Sequence, residues 1–195
     1  MEIDEKKLKD AKALADSMMP LPPADVERLA SVMEFKTAAK GELLIRQGQV
    51  ADCMLFITKG LARQFYYKGD HDITEHFTSE GELLYCIESL FTLKPTDLMA
   101  EALEPLEYYK VHYHQLKQFI PQSPNIAKWL VKWFETDAIV SQHKADAMRF
   151  ETAKERYERF VLEYPEAAKR APIQHIASYL IITRESLSRV RAGKL

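Results

Sequence analysis

Short apolar runs punctuated by turn residues dominate the chain from residue 35 to about residue 112. The breaks between the runs carry pairs such as Lys40-Gly41, Gln47-Gly48 and Lys59-Gly60. Runs this short and this evenly spaced predict an antiparallel sandwich or barrel. The predicted strands are 35–38, 42–46, 53–58, 61–67, 72–77, 82–84, 98–103 and 106–111.

On both sides of the predicted sandwich, the apolar residues have helical periodicity. Residues 4–16 form one amphipathic stripe, and a second helix is expected from Pro23, which suits a first helical turn, to about residue 33. Residues 125–148 contain neither glycine nor proline and predict a long helix. A further helix is expected over 152–164, closed by Pro165.

The long helix carries an apolar seam at alternating four- and three-residue steps, interrupted by Asp137 and Lys144. Such a seam is typical either of a helix packed on the sandwich or of a two-chain coiled coil. Trp129 and Trp133, on an otherwise polar helix, favour the coiled coil. The predicted dimer interface comprises Ile126, Leu130, Trp133, Val140 and Ala147.

The composition favours a globular protein over a disulfide-rich or membrane-spanning one. Apolar residues make up 47% of the 195, which is enough for a buried core. Two cysteines are too few for a disulfide scaffold and predict a cytoplasmic protein. The charged N-terminus is unlike a secretory signal, and no apolar run approaches the ~18 residues that span a bilayer, so no membrane partner is expected.

Charge is distributed unevenly along the chain. The net charge is −2, yet residues 151–195 hold nine basic and six acidic residues, a balance of +3. Beyond Ala168 the basic residues number six and Glu185 is the single acidic one. A basic end on an acidic body is typical of a protein whose one end faces phosphates, although a solvated basic tail has the same composition.

Residues 172–191 are predicted to form two short helices joined by a tight corner. Pro172 suits the start of the first helix, Thr183 the N-cap of the second, and Gly193 its C-terminal end. Leu187 and Val190 are then expected to face the core. The outward face of the second helix would carry Arg184, Glu185, Ser188, Arg189 and Arg191.

That face has chemistry suited to DNA. In the major groove an arginine can donate two hydrogen bonds to guanine, and a glutamate can accept one from cytosine. Arg184, Glu185 and Arg189 lie within about 1.5 helical turns of each other and would reach successive base edges. An ordinary helical hairpin with surface charges is the competing interpretation.

The segment Thr183-Arg-Glu-Ser-Leu-Ser-Arg189 resembles the recognition helix of the bacterial Crp/Fnr family of transcription regulators. The resemblance implies that Arg184 and Arg189 read guanines and Glu185 a cytosine in a TGTGA-like half-site. Gln174 and Thr183 would contact the backbone. The printed sequence ends soon after this helix and the usual corner glycine is absent, so the expectation is a helix-turn-helix without a full wing.

Residues 40–60, with glycine turns at Gly41, Gly48 and Gly60, resemble the front of a cyclic-nucleotide-binding jelly roll. The implied fold class is α+β: an N-terminal antiparallel β jelly roll, a long central dimerisation helix and a C-terminal helix-turn-helix domain. The predicted domains are a sensor over 1–124, a dimerisation helix over 125–150 and a DNA-binding domain over 151–195.

The expected phosphate clamp of such a sensor is missing from the sequence. No arginine occurs between Arg63 and Arg149, and Asp97 would repel a phosphate near Lys94. Cyclic AMP bound in the usual way is therefore disfavoured. Either another small molecule occupies the pocket or the cavity is filled by side chains. Candidate effector contacts are Glu82, Tyr85, Glu88, Ser89, Thr96 and Asp97.

The sequence gives less support for a metal site, an iron–sulfur cluster or a catalytic site. His112 and His114 have strand-face spacing, but the sequence places no third ligand nearby, so no metal site and no cofactor are predicted. Cys53 and Cys86 cannot hold an iron–sulfur cluster. No nucleophile–base pair or phosphate loop occurs, and the protein is predicted not to be an enzyme.

The sequence thus predicts an effector-modulated, sequence-specific DNA-binding homodimer that recognises palindromic double-stranded DNA, with RNA polymerase as a further candidate partner. Two alternatives stay open. One is a binding module for a cyclic nucleotide or another small anion, held through Lys94 and helix amides. The other is a protein-interaction module that has lost DNA binding.

Overall fold

The computed structural model describes residues 4–193, and eight antiparallel strands form its centre. One four-stranded sheet has the order β1-β8-β3-β6 and the other the order β2-β7-β4-β5. Each predicted β-run corresponds to one strand, so the predicted antiparallel jelly roll is confirmed. The strands are Met33–Ala38 (β1), Leu43–Ile45 (β2), Cys53–Lys59 (β3), Ala62–Lys68 (β4), His71–Thr78 (β5), Leu83–Leu84 (β6), Met99–Ala102 (β7) and Leu106–His112 (β8).

Strand β3 shows why the sandwich forms. It is apolar on both faces, and successive side chains point to opposite sides. Leu55 and Ile57 enter the core between the two sheets, whereas Met54 and Phe56 enter a second core beneath the helices. The inter-sheet core is mainly aliphatic and also contains the two buried cysteines, Cys53 and Cys86.

Nine helices surround the sandwich within residues 4–193. They are Glu5–Asp16 (α1), Pro23–Ser31 (α2), Ile87–Thr92 (α3), Tyr113–Lys117 (α4), Pro124–Phe150 (α5), Ala153–Glu163 (α6), Pro165–Arg170 (α7), Ile173–Tyr179 (α8) and Arg184–Arg191 (α9). Pro165 both follows α6 and begins α7, because the ring is tolerated in a first turn. None of these helices is both long and apolar enough to cross a bilayer.

The first half of α5 packs inside its own chain. Ile126, Leu130 and Trp133 are buried, with α1, α2 and the first sheet around them. The Trp129 indole N–H donates to the Ala15 carbonyl at 3.2 Å. For this half of the seam the structure therefore matches the interpretation of a helix packed on the sandwich.

The other predicted interface residues behave differently from one another. Ala147 is buried at 2% exposure, whereas Val140 keeps 40% of its surface exposed. Of the five predicted interface residues, Val140 alone presents a large free surface, because the packing of a single chain already covers the other four. This corrects the expectation that the whole seam faces a partner.

The two polar residues that interrupt the seam face the sandwich. Asp137 lies beside Tyr85, which follows β6. The Lys144 ammonium donates to the Glu75 carboxylate of β5 at 2.6 Å. These positions are polar because they anchor α5 to the sandwich.

Candidate functional site

Helices α8 and α9 are joined by a tight corner. Ile181 adopts a left-handed conformation with φ of 55°, and the Ile182 amide donates to the Ala177 carbonyl at 3.0 Å. The Thr183 hydroxyl caps α9 by accepting from the Ser186 amide at 3.1 Å. Gly193 ends the helix at φ of 65°, as predicted.

One side of α9 is anchored and the other is free. Leu187 and Val190 are buried against the helices before it, as expected from the sequence. The opposite side forms a shallow open surface, which we call the α9 face; it is lined by Arg184, Glu185, Ser188, Arg189 and Ala192. Four of the residues predicted to contact DNA therefore lie together on one exposed surface.

The α9 face combines charges of both signs. The pKa of Glu185 is lowered by hydrogen bonds from its own backbone amide and from Thr183, and further by the guanidinium groups of Arg184 and Arg189. Glu185 is thus a carboxylate at neutral pH. The face presents one carboxylate between two planar cationic donors, with the Ser188 hydroxyl beside them.

The remaining predicted DNA contacts are placed differently. Gln174 is exposed in the first turn of α8, and the exposed Thr183 uses its hydroxyl as the N-cap. Arg191 turns towards α6, where its guanidinium carbon lies 5.6 Å from the centre of the Tyr157 ring. Arg191 is therefore exposed but is not part of the α9 face.

A buried arginine joins three strands of the second sheet beside the point where α8 is bonded to that sheet. The Arg63 side chain, 3% exposed, donates to Glu101 at 2.6 Å, to both Asp72 carboxylate oxygens at 2.5 and 2.6 Å, and to Thr74 at 2.9 Å. The Ser178 hydroxyl of α8 donates to the Asp72 carbonyl at 2.7 Å and accepts from the Thr74 amide at 2.9 Å.

Arg63 and Ser178 have no role predicted from the sequence. The signal available was an arginine within the apolar run 61–67, because a buried arginine requires carboxylate partners. Its partners lie nine and 38 positions further along the chain, and periodicity does not identify them.

Arg170 of α7 makes a second link to the sandwich. It donates to Glu80 at 2.7 Å and to Glu104 at 2.6 Å. The hydrogen bond from Arg170 lowers the pKa of Glu80 to about 2. Together with Phe77, which packs against Phe160, Tyr164 and Tyr179, these contacts hold the last four helices against the sheet.

A cleft of about 400 Å³ opens where the sandwich, α5 and α6 meet. Glu82 and Tyr85, two of the predicted effector contacts, line it together with Asp137 and Tyr164. Burial raises the pKa of Asp137, and the hydrogen bond from Tyr85 opposes that shift. The cleft thus offers a half-buried carboxylate to a ligand.

His76 lies at the back of the same cleft. Burial, followed by the charge of Lys144, lowers the pKa of His76 to about 4, so its ring is neutral at pH 7. The Tyr164 hydroxyl lies 2.9 Å from His76 Nδ1. The cleft is therefore also lined by a neutral histidine and a phenol, which lie within hydrogen-bond distance of each other.

The other four predicted effector contacts lie outside this cleft. The buried Ser89 hydroxyl donates to the Lys94 carbonyl at 2.6 Å and accepts from the Ala51 amide at 2.8 Å. Thr96 accepts from the Leu98 amide at 3.0 Å. Glu88 and Asp97 are exposed. The predicted pocket residues thus separate into two cleft residues and four that shape or flank the turn after α3.

Comparison with known proteins shows what the β-rich part is similar to. Residues 35–123 match the family model described as cyclic nucleotide-binding domain. A search of curated protein sequences finds no match.

Among solved structures, FixK2 from Bradyrhizobium japonicum aligns with a TM-score of 0.69 at 19% identity, over 83% of this chain and 84% of its own. The c-di-GMP responsive global regulator CLP of Xanthomonas campestris aligns with a TM-score of 0.67 at 15% identity, over 88% of this chain and 91% of its own. Thermus thermophilus catabolite activator protein aligns with a TM-score of 0.57 at 20% identity, over 89% of this chain and 83% of its own. Residues 35–123 are thus similar to cyclic nucleotide-binding domains, and the chain shares the fold of these three proteins.

Proposed function

We propose that this protein is a Crp/Fnr-type transcription regulator that binds palindromic DNA as an effector-modulated homodimer. The observation that carries the proposal is the α9 face, where Arg184, Glu185 and Arg189 stand exposed on a capped helix whose other side is anchored in the core. Likeness in fold to FixK2, CLP and catabolite activator protein supports it.

The chemistry of the α9 face suits base readout. Arg184 and Arg189 can each donate in a bidentate manner to guanine O6 and N7, and Glu185 can accept from cytosine N4. Gln174 and Thr183, at the starts of the two helices, are placed to contact phosphates or sugars. Ser188 lies between the arginines and can donate to a base or to a phosphate.

Dimerisation is proposed along α5. This helix exposes Val131 and Ile139 at 54% and 56% of their surface and its last residue, Phe150, at 79%, whereas Val140 lines the cleft between α5 and the sandwich. Exposed β-branched residues on a long helix are suited to a second copy of the same helix. A two-fold dimer would present two α9 faces, which matches a palindromic site.

The effector is proposed to bind in the cleft beside α5. A ligand there contacts the sandwich through Glu82 and Tyr85 and the helix through Asp137. Differential binding to two arrangements of α5 would change the spacing of the α9 faces. Because no arginine stands between residues 63 and 149, the usual phosphate clamp for cyclic AMP is not expected.

The test is fluorescence anisotropy with a labelled palindrome of TGTGA half-sites and a scrambled duplex, at two salt concentrations. Wild type should prefer the palindrome, and Arg184→Ala should lose about 1–3 kcal/mol of binding free energy on it. Arg46→Ala is the matched control, because it removes the same charge from an exposed position on the sensor.

Two other outcomes would count against the proposal in different ways. Equal loss in Arg46→Ala and Arg184→Ala would mean that only charge matters. Binding that is weak, insensitive to salt and unchanged by Arg184→Ala would favour the protein-interaction module. A calorimetric titration with cyclic AMP and cyclic GMP tests the cyclic-nucleotide alternative independently.

A further inference from the structure

Three potential metal ligands converge at one corner of the sandwich. Asp52 immediately precedes β3, His112 ends β8, and His114 lies in the first turn of α4. Their ligand atoms all lie within 4.8 Å of one another. His112 Nδ1 is 3.3 Å from the Asp52 carboxylate, and the two imidazole rings are 5.5 Å apart at their centres.

The main chain holds this group together. Cys53, which follows Asp52, is paired with His112 in the antiparallel register of β3 and β8. The Tyr113 amide, between the two histidines, donates to the Asp52 carbonyl at 3.0 Å. The carboxylate and the histidine pair are therefore brought together by the sheet itself.

The spacing is close to what a bound ion requires. Ligand bonds of about 2.1 Å at tetrahedral angles place donor atoms about 3.4 Å apart. Asp52 and His112 already have that separation. His114 is exposed, so a change of its side-chain rotamer can bring the second imidazole nitrogen nearer.

We propose that Asp52, His112 and His114 form a binding site for a divalent transition-metal ion. Two imidazoles and a carboxylate suit borderline ions such as Zn²⁺, Ni²⁺ or Cu²⁺, with water completing the coordination. An Asp–His ion pair alone would explain two of the three residues. The convergence of His114 on the same point is what indicates a metal.

The site adjoins the central helix. Tyr113, between the ligands, packs edge-on against Phe134 of α5 with 6.0 Å between ring centres, and against Phe91 of α3 at 5.6 Å. An ion held by His112 and His114 would fix the backbone that carries Tyr113. The metal would thus stabilise the corner at which the sandwich meets α5. This inference does not depend on DNA binding.

The experiment is calorimetric titration of the full chain, free of any affinity tag and stripped with a chelator, with Zn²⁺ and Ni²⁺ in turn. One ion per chain should bind with a micromolar or tighter dissociation constant. His114→Ala should weaken binding at least about tenfold, and Asp52→Asn and His112→Ala should do the same. His143→Ala removes another exposed histidine and should leave the affinity unchanged.

Two further readouts separate a lost ligand from a damaged fold. Zn²⁺ at a hundredfold excess over its dissociation constant should raise the Tm of wild type by about 5–10 °C and leave that of His114→Ala unchanged. By NMR, the imidazole signals of His112 and His114 should shift with Zn²⁺ while those of His143 stay. No binding, or equal binding by wild type and His114→Ala, would overturn the proposal.

Discussion

His76 is the residue whose protonation state the fold controls most clearly. The unfolded chain takes up a proton on this histidine near pH 6.5, whereas the folded protein resists protonation until about pH 4. Between these values the unfolded state binds more protons, so stability falls as the pH falls. Above pH 6.5 the histidine is neutral in both states and costs no stability. The loss of unfolding free energy grows as the pH falls from 6.5 towards 4.

We expect wild type to lose about 2 kcal/mol more unfolding free energy than His76→Gln when the pH is lowered from 7 to 5. Glutamine keeps a polar group near Tyr164 without a titrating ring. Urea unfolding at the two pH values measures the difference. His143→Gln, at an exposed site, should follow wild type; identical pH profiles for wild type and His76→Gln would contradict the assignment.

The corner between α8 and α9 is the element in which local preference and fold disagree. Ile181 is β-branched and is held at φ of 55°, which costs roughly 1–2 kcal/mol for a non-glycine residue. Its side chain is 66% exposed, so the packing that it contributes is small. The corner is retained because Leu180, Leu187 and the residues around them are buried on either side of it.

Replacing Ile181 by glycine should therefore raise the free energy of unfolding by about 0.5–1 kcal/mol, since relief of strain exceeds the entropy gained by the unfolded chain. Leu93→Gly, at φ of 56° after α3, should raise the free energy of unfolding by a similar amount. Leu162→Gly, at an exposed site within α6, should instead destabilise by about 1 kcal/mol. Chemical denaturation of the three variants tests the signs.

At the scale of the whole molecule, Arg63 joins β4 to β5 and β7 beside the point where α8 is bonded to β5. Its guanidinium neutralises Asp72 and Glu101, and Ser178 of α8 is bonded to the backbone of Asp72 and Thr74. Removing the cation leaves two carboxylates facing each other across the strands, with 33% and 19% of their side chains exposed.

Arg63→Met should cost about 2–4 kcal/mol of stability, below the range for fully buried pairs because both carboxylates keep some solvent. Lys169→Met breaks the exposed pair with Glu166 and should cost less than about 0.5 kcal/mol. Urea unfolding gives both values. A loss below 1 kcal/mol in Arg63→Met would show that the network contributes little.

Local sequence determined the elements and the ends of the α9 helix. The eight strands follow short apolar runs and turn residues, the Thr183 cap follows from its side chain, and buried Leu187 and exposed Arg184 follow from helical periodicity. Each of these features depends on neighbours within a few residues, which is the range over which backbone preferences and side-chain periodicity act. Helices α3, α4 and α7 have five or six residues, too few for a periodic signal.

Tertiary structure alone decided what is brought together across the chain. It buried most of the α5 seam within one chain, separated Glu82 and Tyr85 from the other predicted pocket residues, and placed Ser178 beside Asp72. It also supplied Asp52 as the third group beside His112 and His114, 60 positions away from the first of them. Such contacts depend on strand register and on the packing of distant apolar faces, which no local pattern encodes.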